Sequence, residues 1–129
     1  MSFLDKLFGR AQSEEQGDVL ITLDVERRKA QLTRLEVALD ALASEMRAER
    51  SMDNPGWRAL VNEYSRLAGI AMSQRQGPLT REALLDLVFE VRPVFSGPIP
   101  AGMEQIGPLQ DEVMSAANEL QALLPGERG

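Results

Sequence analysis

The 129-residue chain contains no cysteine and no histidine. The first absence excludes disulfides and thiolate chemistry and fits a reducing cytoplasm. The second removes the commonest general base and the commonest metal ligand together. Aromatics make up 5% of the residues, with a single Trp and a single Tyr. That scarcity argues against a β-sandwich and for helices packed through aliphatic side chains. No apolar run approaches the ~18 residues of a membrane span. The first ten residues lack the long apolar centre of a secretory signal. Lysine is nearly missing, since twelve of the fourteen basic residues are Arg, a bias typical of GC-rich, bacterial genomes. The formal charge is −6 and the pI is about 4.7. Phosphate neutralisation needs an excess of Lys and Arg, so nucleic acid is not an expected partner.

What is present is helical pattern. With 43% hydrophobic and 26% charged residues, the composition is that of one globular domain able to bury a core. Val25, Leu32, Leu35, Leu39, Leu42 and Met46 recur at three- and four-residue steps once Arg28 is admitted to the seam. Ala38, Ala41 and Ala43 widen that stripe, so the segment reads as a bundle helix and not a two-stranded coil. The break at 51–57 offers Asp53 or Asn54 as a cap with Pro55 at the first helical position. Trp57, Leu60, Val61, Tyr64, Leu67, Ala68 and Ala71 then mark a second helix, with Trp57 and Tyr64 as core anchors. Thr80 caps a third helix from Arg81 to about Arg92, carrying Leu84, Leu85, Leu87, Val88, Phe89 and Val91 and stopped by Pro93. Residues 96–108 hold three Gly and three Pro and read as a connection, long enough to cross over along the body. Pro108 opens the last helix, with Leu109, Val113, Ala116, Ala117, Leu120 and Leu123 on one face. Residues 19–23, VLITL, are ambiguous between a helical extension and a strand paired with LVFEV at 87–91. The expected fold is all-α, a four-helix bundle-like domain over 11–129, preceded by a short amphipathic segment at 1–10.

Few residues speak of chemistry. Glu82, Asp86 and Glu90 form a carboxylate ladder at i, i+4, i+8, but Leu85, Val88 and Phe89 are the better inward candidates and the ladder reads as a solvated face. Arg27, Arg28 and Arg34 make the densest basic patch, a nucleic-acid contact only as a rival reading, since a few cations on an acidic chain steer poorly. Glu15 and Asp18 stand in SEEQGDVLITLD (13–24) with Glu-x-x-Asp spacing. This stretch resembles the second metal motif of all-α nucleotide pyrophosphohydrolases of the MazG type. The resemblance implies Mg²⁺ held by the two carboxylates and hydrolysis of a nucleotide. That family also carries a Glu-rich motif one helix upstream, and the fourteen residues before Glu15 contain none. Without it a hard cation has too few oxygens, and acidic residues at a helix start are also what the helix dipole favours.

The opening stretch MSFLDKLFGR carries the stronger signal. Placed on a helix, Phe3, Leu4, Leu7 and Phe8 gather on one side. Burying them is worth roughly 6–12 kcal/mol gross, and ordering the segment costs roughly 8–16 kcal/mol. Alone it is marginal, so it needs a surface to dock on: its own body or a sister chain, another protein, or a membrane reached by several copies at once. The sequence therefore predicts a non-catalytic, cytoplasmic helical adaptor or scaffold protein, free or held at the inner face of the membrane. No cofactor, metal or catalytic group is expected. The expected contacts are Phe3, Leu4, Leu7 and Phe8, with Ile99, Met103 and Ile106 of the 96–108 loop second. The Mg²⁺-dependent hydrolase is the alternative.

Overall fold

A computed structural model of the chain describes residues 23–127. It contains four α-helices: α1 (Val25–Ala48), α2 (Pro55–Gln76), α3 (Arg81–Glu90) and α4 (Ile106–Gln121), with one 3-10 turn at Arg50–Asp53. The all-α, bundle-like expectation holds, and no strand occurs among the described residues. Residues 87–90 lie in α3, so they pair with nothing as a strand. Leu23 and Asp24 precede α1 and are not helical. Residues 19–22, the boundary at 10/11, and Phe3, Leu4, Leu7, Phe8, Glu15 and Asp18 lie outside the described residues.

The chain divides into two compact units, Val25–Ala122 and a second unit taking the two chain ends up to Asp24 and from Leu123. In the second, the Glu127 carboxylate accepts from the Asp24 N–H at 3.0 Å and the Leu124 N–H at 2.9 Å. Leu123, expected on the last helix's buried face, lies beyond the end of α4 and is 53% exposed.

Helix ends in the larger unit are set by local chemistry. The Asn54 carboxamide oxygen accepts from the Gly56 and Trp57 N–H groups at 2.8 and 3.2 Å, and Pro55 follows where a missing N–H costs nothing. The Thr80 hydroxyl accepts from the Ala83 N–H at 3.1 Å and starts α3. α3 stops at Glu90, ahead of the extended Val91 that precedes Pro93.

Cross-links between helices fix the topology. Arg75 meets Glu36 and Arg47 meets Ser65, so α1 and α2 run antiparallel. Tyr64 donates to the Arg92 carbonyl at 2.5 Å and Gln74 to the Ala83 carbonyl at 3.1 Å, which sets α3 antiparallel to α2. Arg81 reaches the Leu120 carbonyl while Gln110 clasps Phe95, so α4 runs back along α3. Arg28 at Leu120 and Arg34 at Glu112 close the ring by pairing α4 antiparallel with α1. The order is up-down-up-down, with every sequential pair adjacent. α3 therefore ends at the same end of the bundle where α4 begins. The 91–105 connection is no crossover; it folds over that end.

The centre is aliphatic, as expected. Leu32, Leu35, Leu39, Leu42 and Met46 of α1 meet Val61, Leu67 and Ala71 of α2, Leu84 and Leu87 of α3, and Ile106, Val113, Ala116 and Leu120 of α4, all buried. Phe89 corrects the expectation, for it is 55% exposed. Each helical residue turns about 100°, and the buried arc runs through Leu84, Leu87 and Val88; one further step carries Phe89 past its edge.

Two measurements test these anchors. Asn54→Ala should lower stability by about 1 kcal/mol in urea unfolding through loss of the α2 cap. Tyr64 supplies a pH test. Burial first, and then the neighbouring Glu63 charge, push its phenol up to about 12, against about 10 unfolded. The folded state thus prefers the neutral phenol. The resulting stability should be complete below about pH 10 and lost as pH rises through about 12. Tyr64 is the one tyrosine in the chain, so tyrosinate absorbance reads it directly. Tyr64→Phe should remove that alkaline limb while costing about 1 kcal/mol at neutral pH for the lost hydrogen bond.

Candidate functional site

The α1–α4 seam concentrates the polar chemistry of the larger unit. At one end, Arg28 is fully buried. Its guanidinium donates to the Gln31 side-chain oxygen at 3.0 Å and to the carbonyls of Glu119, Leu120 and Ala122 at 3.4, 3.1 and 2.6 Å. The last carbonyls of any helix lack internal partners, and here a cation supplies them from the neighbouring helix, where the dipole also favours positive charge. Arg81, from α3, donates to the same turn at Leu120, Gln121 and Ala122. Two arginines from two helices thus close the end of a third.

Further along α1, Arg34 forks onto Glu112 with Nε and Nη2 contacts of 2.8 and 3.0 Å. It also reaches Glu119 at 2.9 Å and the Ser115 hydroxyl at 3.2 Å. Glu112, and after it Glu119, hold the guanidinium still more firmly protonated, while Arg34 holds the Glu112 carboxyl below the usual carboxylate range. These groups are half exposed, so water screens the pairs.

Beside this cluster runs an open, apolar groove of about 300 Å³. Val37, Ala38 and Ala41 of α1 and Leu109 of α4 form its floor, with Arg34 and Glu112 at its rim. Val37 is 62% exposed, the most exposed of the large apolar side chains described. The sequence reading used Ala38 and Ala41 only to widen the buried stripe and missed the groove. The available signal was the outer line Ala30, Val37, Ala41, Ser44 and Ala48, uncharged on a helix face that ordinarily carries charge.

At the opposite end of the seam, the 91–105 connection is held inward. Gln110 accepts from the Phe95 N–H at 2.8 Å and donates to its carbonyl at 3.3 Å. The Phe95 ring lies 6.2 Å from Trp57, whose indole N–H donates to the Met46 carbonyl at 2.9 Å. Ile99 lies so close to Gly107 that a Cβ there would stand 2.7 Å from its terminal methyl. Gly102, at φ +92°, makes the turn that returns the chain to α4.

The expected site residues therefore separate. Ile106 is fully buried as the first residue of α4, which begins two residues earlier than the expected Pro108. It fills the core and is no surface contact, a correction that follows from the earlier helix start. Ile99 and Met103 are half-buried. Arg28, a nucleic-acid contact in the rival reading, is engaged inside the protein, and Arg34 is occupied by two carboxylates. Trp57 is half-buried and Tyr64 buried, each with its polar atom hydrogen-bonded to backbone, as core anchors. Glu82, Asp86 and Glu90 are exposed, and Glu90 pairs with Arg66. No metal-holding group of acidic side chains occurs among the described residues. No described helix is long and apolar enough to cross a membrane. Family models, curated proteins and solved structures were each compared with the chain, and none matches it.

The two arginines of α1 should differ sharply on removal. Arg28→Ala strips a partner from the buried Leu120 carbonyl and empties a fully buried site, and should cost about 3 kcal/mol in equilibrium unfolding. Arg34→Ala breaks exposed pairs and should cost under about 1 kcal/mol.

Proposed function

We propose that the protein is a non-catalytic helical adaptor or scaffold that binds protein, with Phe3, Leu4, Leu7 and Phe8 as its principal contact. The observation that supports this reading is the completeness of the Val25–Ala122 core. Leucines from all four helices are buried in that unit. In the sequence pattern the four helical seams are complete without Phe3, Leu4, Leu7 and Phe8, and surplus apolar surface marks association. Ile99 and Met103 are secondary contacts in this reading, and Ile106 is dropped from it. Attachment to the inner face of a membrane extends the same reading, since several tips on one assembly would bind where a single tip is too weak.

Deletion of residues 2–10 tests it. Light scattering after size-exclusion chromatography, with and without anionic liposomes, should show assembly or vesicle binding by the full chain and neither by the shortened one. Unchanged behaviour in both arms would sink the proposal.

A further inference from the structure

We infer that the carboxyl tail is a latch on Asp24, the residue from which α1 starts, and that the Glu127 carboxylate closes it, an inference independent of the assembly reading above. Asp24 immediately precedes Val25, the first residue of α1, and so takes the capping position. In a local capping box, the side chain three residues on reaches back to accept from the cap's own N–H. Here that side chain is Arg27, and a guanidinium has donors only. The acceptor comes from the far end of the chain instead: Glu127 Oε2 accepts from the Asp24 N–H at 3.0 Å, across 103 residues. The box that the local sequence leaves open is completed by the tail.

The tail is shaped to hold that carboxylate. Residues 124–127, Leu-Pro-Gly-Glu, carry proline and glycine at the two central positions of a type II turn. The Glu127 N–H donates to the Leu124 carbonyl at 3.0 Å, and Gly126 supplies the positive φ, +92°, that the turn requires. Glu127 Oε1 then accepts from the Leu124 N–H at 2.9 Å. One oxygen fastens the side chain to its own turn and the other is directed at Asp24, so closure needs little further ordering. These residues are not part of the buried core: Pro125 and Gly126 are exposed, and Asp24, Leu124 and Glu127 are half-buried. The latch can therefore open without emptying the Val25–Ala122 core, by trimming or capture of the last few residues. Opening frees the backbone at the point where the amino-terminal segment joins α1.

Amide hydrogen exchange, followed by NMR on the full chain, tests the latch. The Asp24 and Leu124 amides should exchange slowly in the native protein. Glu127→Ala should speed both about tenfold, the loss expected for a hydrogen bond to a charged acceptor. Glu127→Gln has a single acceptor oxygen, which the turn retains, so it should release Asp24 while keeping Leu124 slow. Gly126→Val leaves the carboxylate in place but strains the positive φ, and should release both. The amides of Leu39 and Leu67, both fully buried, should exchange as in the native protein in all three variants. Two results overturn the inference. If Asp24 exchanges no faster in Glu127→Ala, or stays slow in Gly126→Val, the tail does not latch it. If Asp24 speeds up only together with Leu39 and Leu67, the substitutions loosen the whole bundle and the contact is no separate device.

Discussion

The carbonyls at the end of α4 are closed by arginines from two other helices, and much of the bundle is arranged around that contact. A helix end carries four unsatisfied acceptors and a partial negative charge. Leu120 at this end is fully buried, while Gln121 and Ala122 lie at the surface. Arg28 satisfies this end from the first turns of α1, and Arg81 from the first turn of α3. The same contacts fix the axial register of α1 against α4 and of α3 against α4. A buried cation would be prohibitive alone. It is tolerable here because Gln31 and three carbonyls share its donors.

That register determines what the surface can offer. α1 is covered on one flank by α2 and on the other by α4, which leaves its outer line facing solvent. Ala30, Ala41, Ser44 and Ala48 on that line are small, so Val37 stands clear and the shoulder of α4 with Leu109 forms the opposite wall. The Arg34 fork onto Glu112 bridges the two helices at the groove's rim. The groove is thus a by-product of tying α4 to α1 at one end. The other end is closed by aromatic and amide contacts of the 91–105 connection, which bring Phe95 against Trp57 and Ile99 against Gly107.

The architecture was legible because the caps and the seams agree. Asn54 with Pro55, and Thr80, begin helices where their chemistry says they should. The Leu spacing of α1 names its core residues nearly one by one. Two errors share a cause. Ile106 looked like a loop residue because Pro108 is a favoured helix start, yet hydrogen bonds from the Ile106 and Gly107 N–H groups to the Met103 and Glu104 carbonyls begin the helix earlier. Phe89 looked buried because its neighbours are apolar, and only the angular position within a ten-residue helix reveals otherwise. Helix boundaries and azimuths depend on tertiary partners that a one-dimensional pattern does not contain. The groove needs α4 as well: Leu109 and Glu112, far along the chain from Val37, complete its lining.

Arginine usage is the remaining point at which pattern and structure part. Read as composition, twelve Arg against two Lys is a genomic bias without mechanism. In the folded chain the guanidinium plane is what four of those residues use. Arg28 and Arg81 each spread donors over successive carbonyls of a helix end, Arg34 forks onto Glu112 while reaching Glu119, and Arg66 bridges Glu63 and Glu90. A lysine ammonium presents one compact centre and cannot divide itself among acceptors on two turns with the same geometry. A compositional bias supplied these side chains, but the helix ends and the α1–α4 tie need arginine in particular.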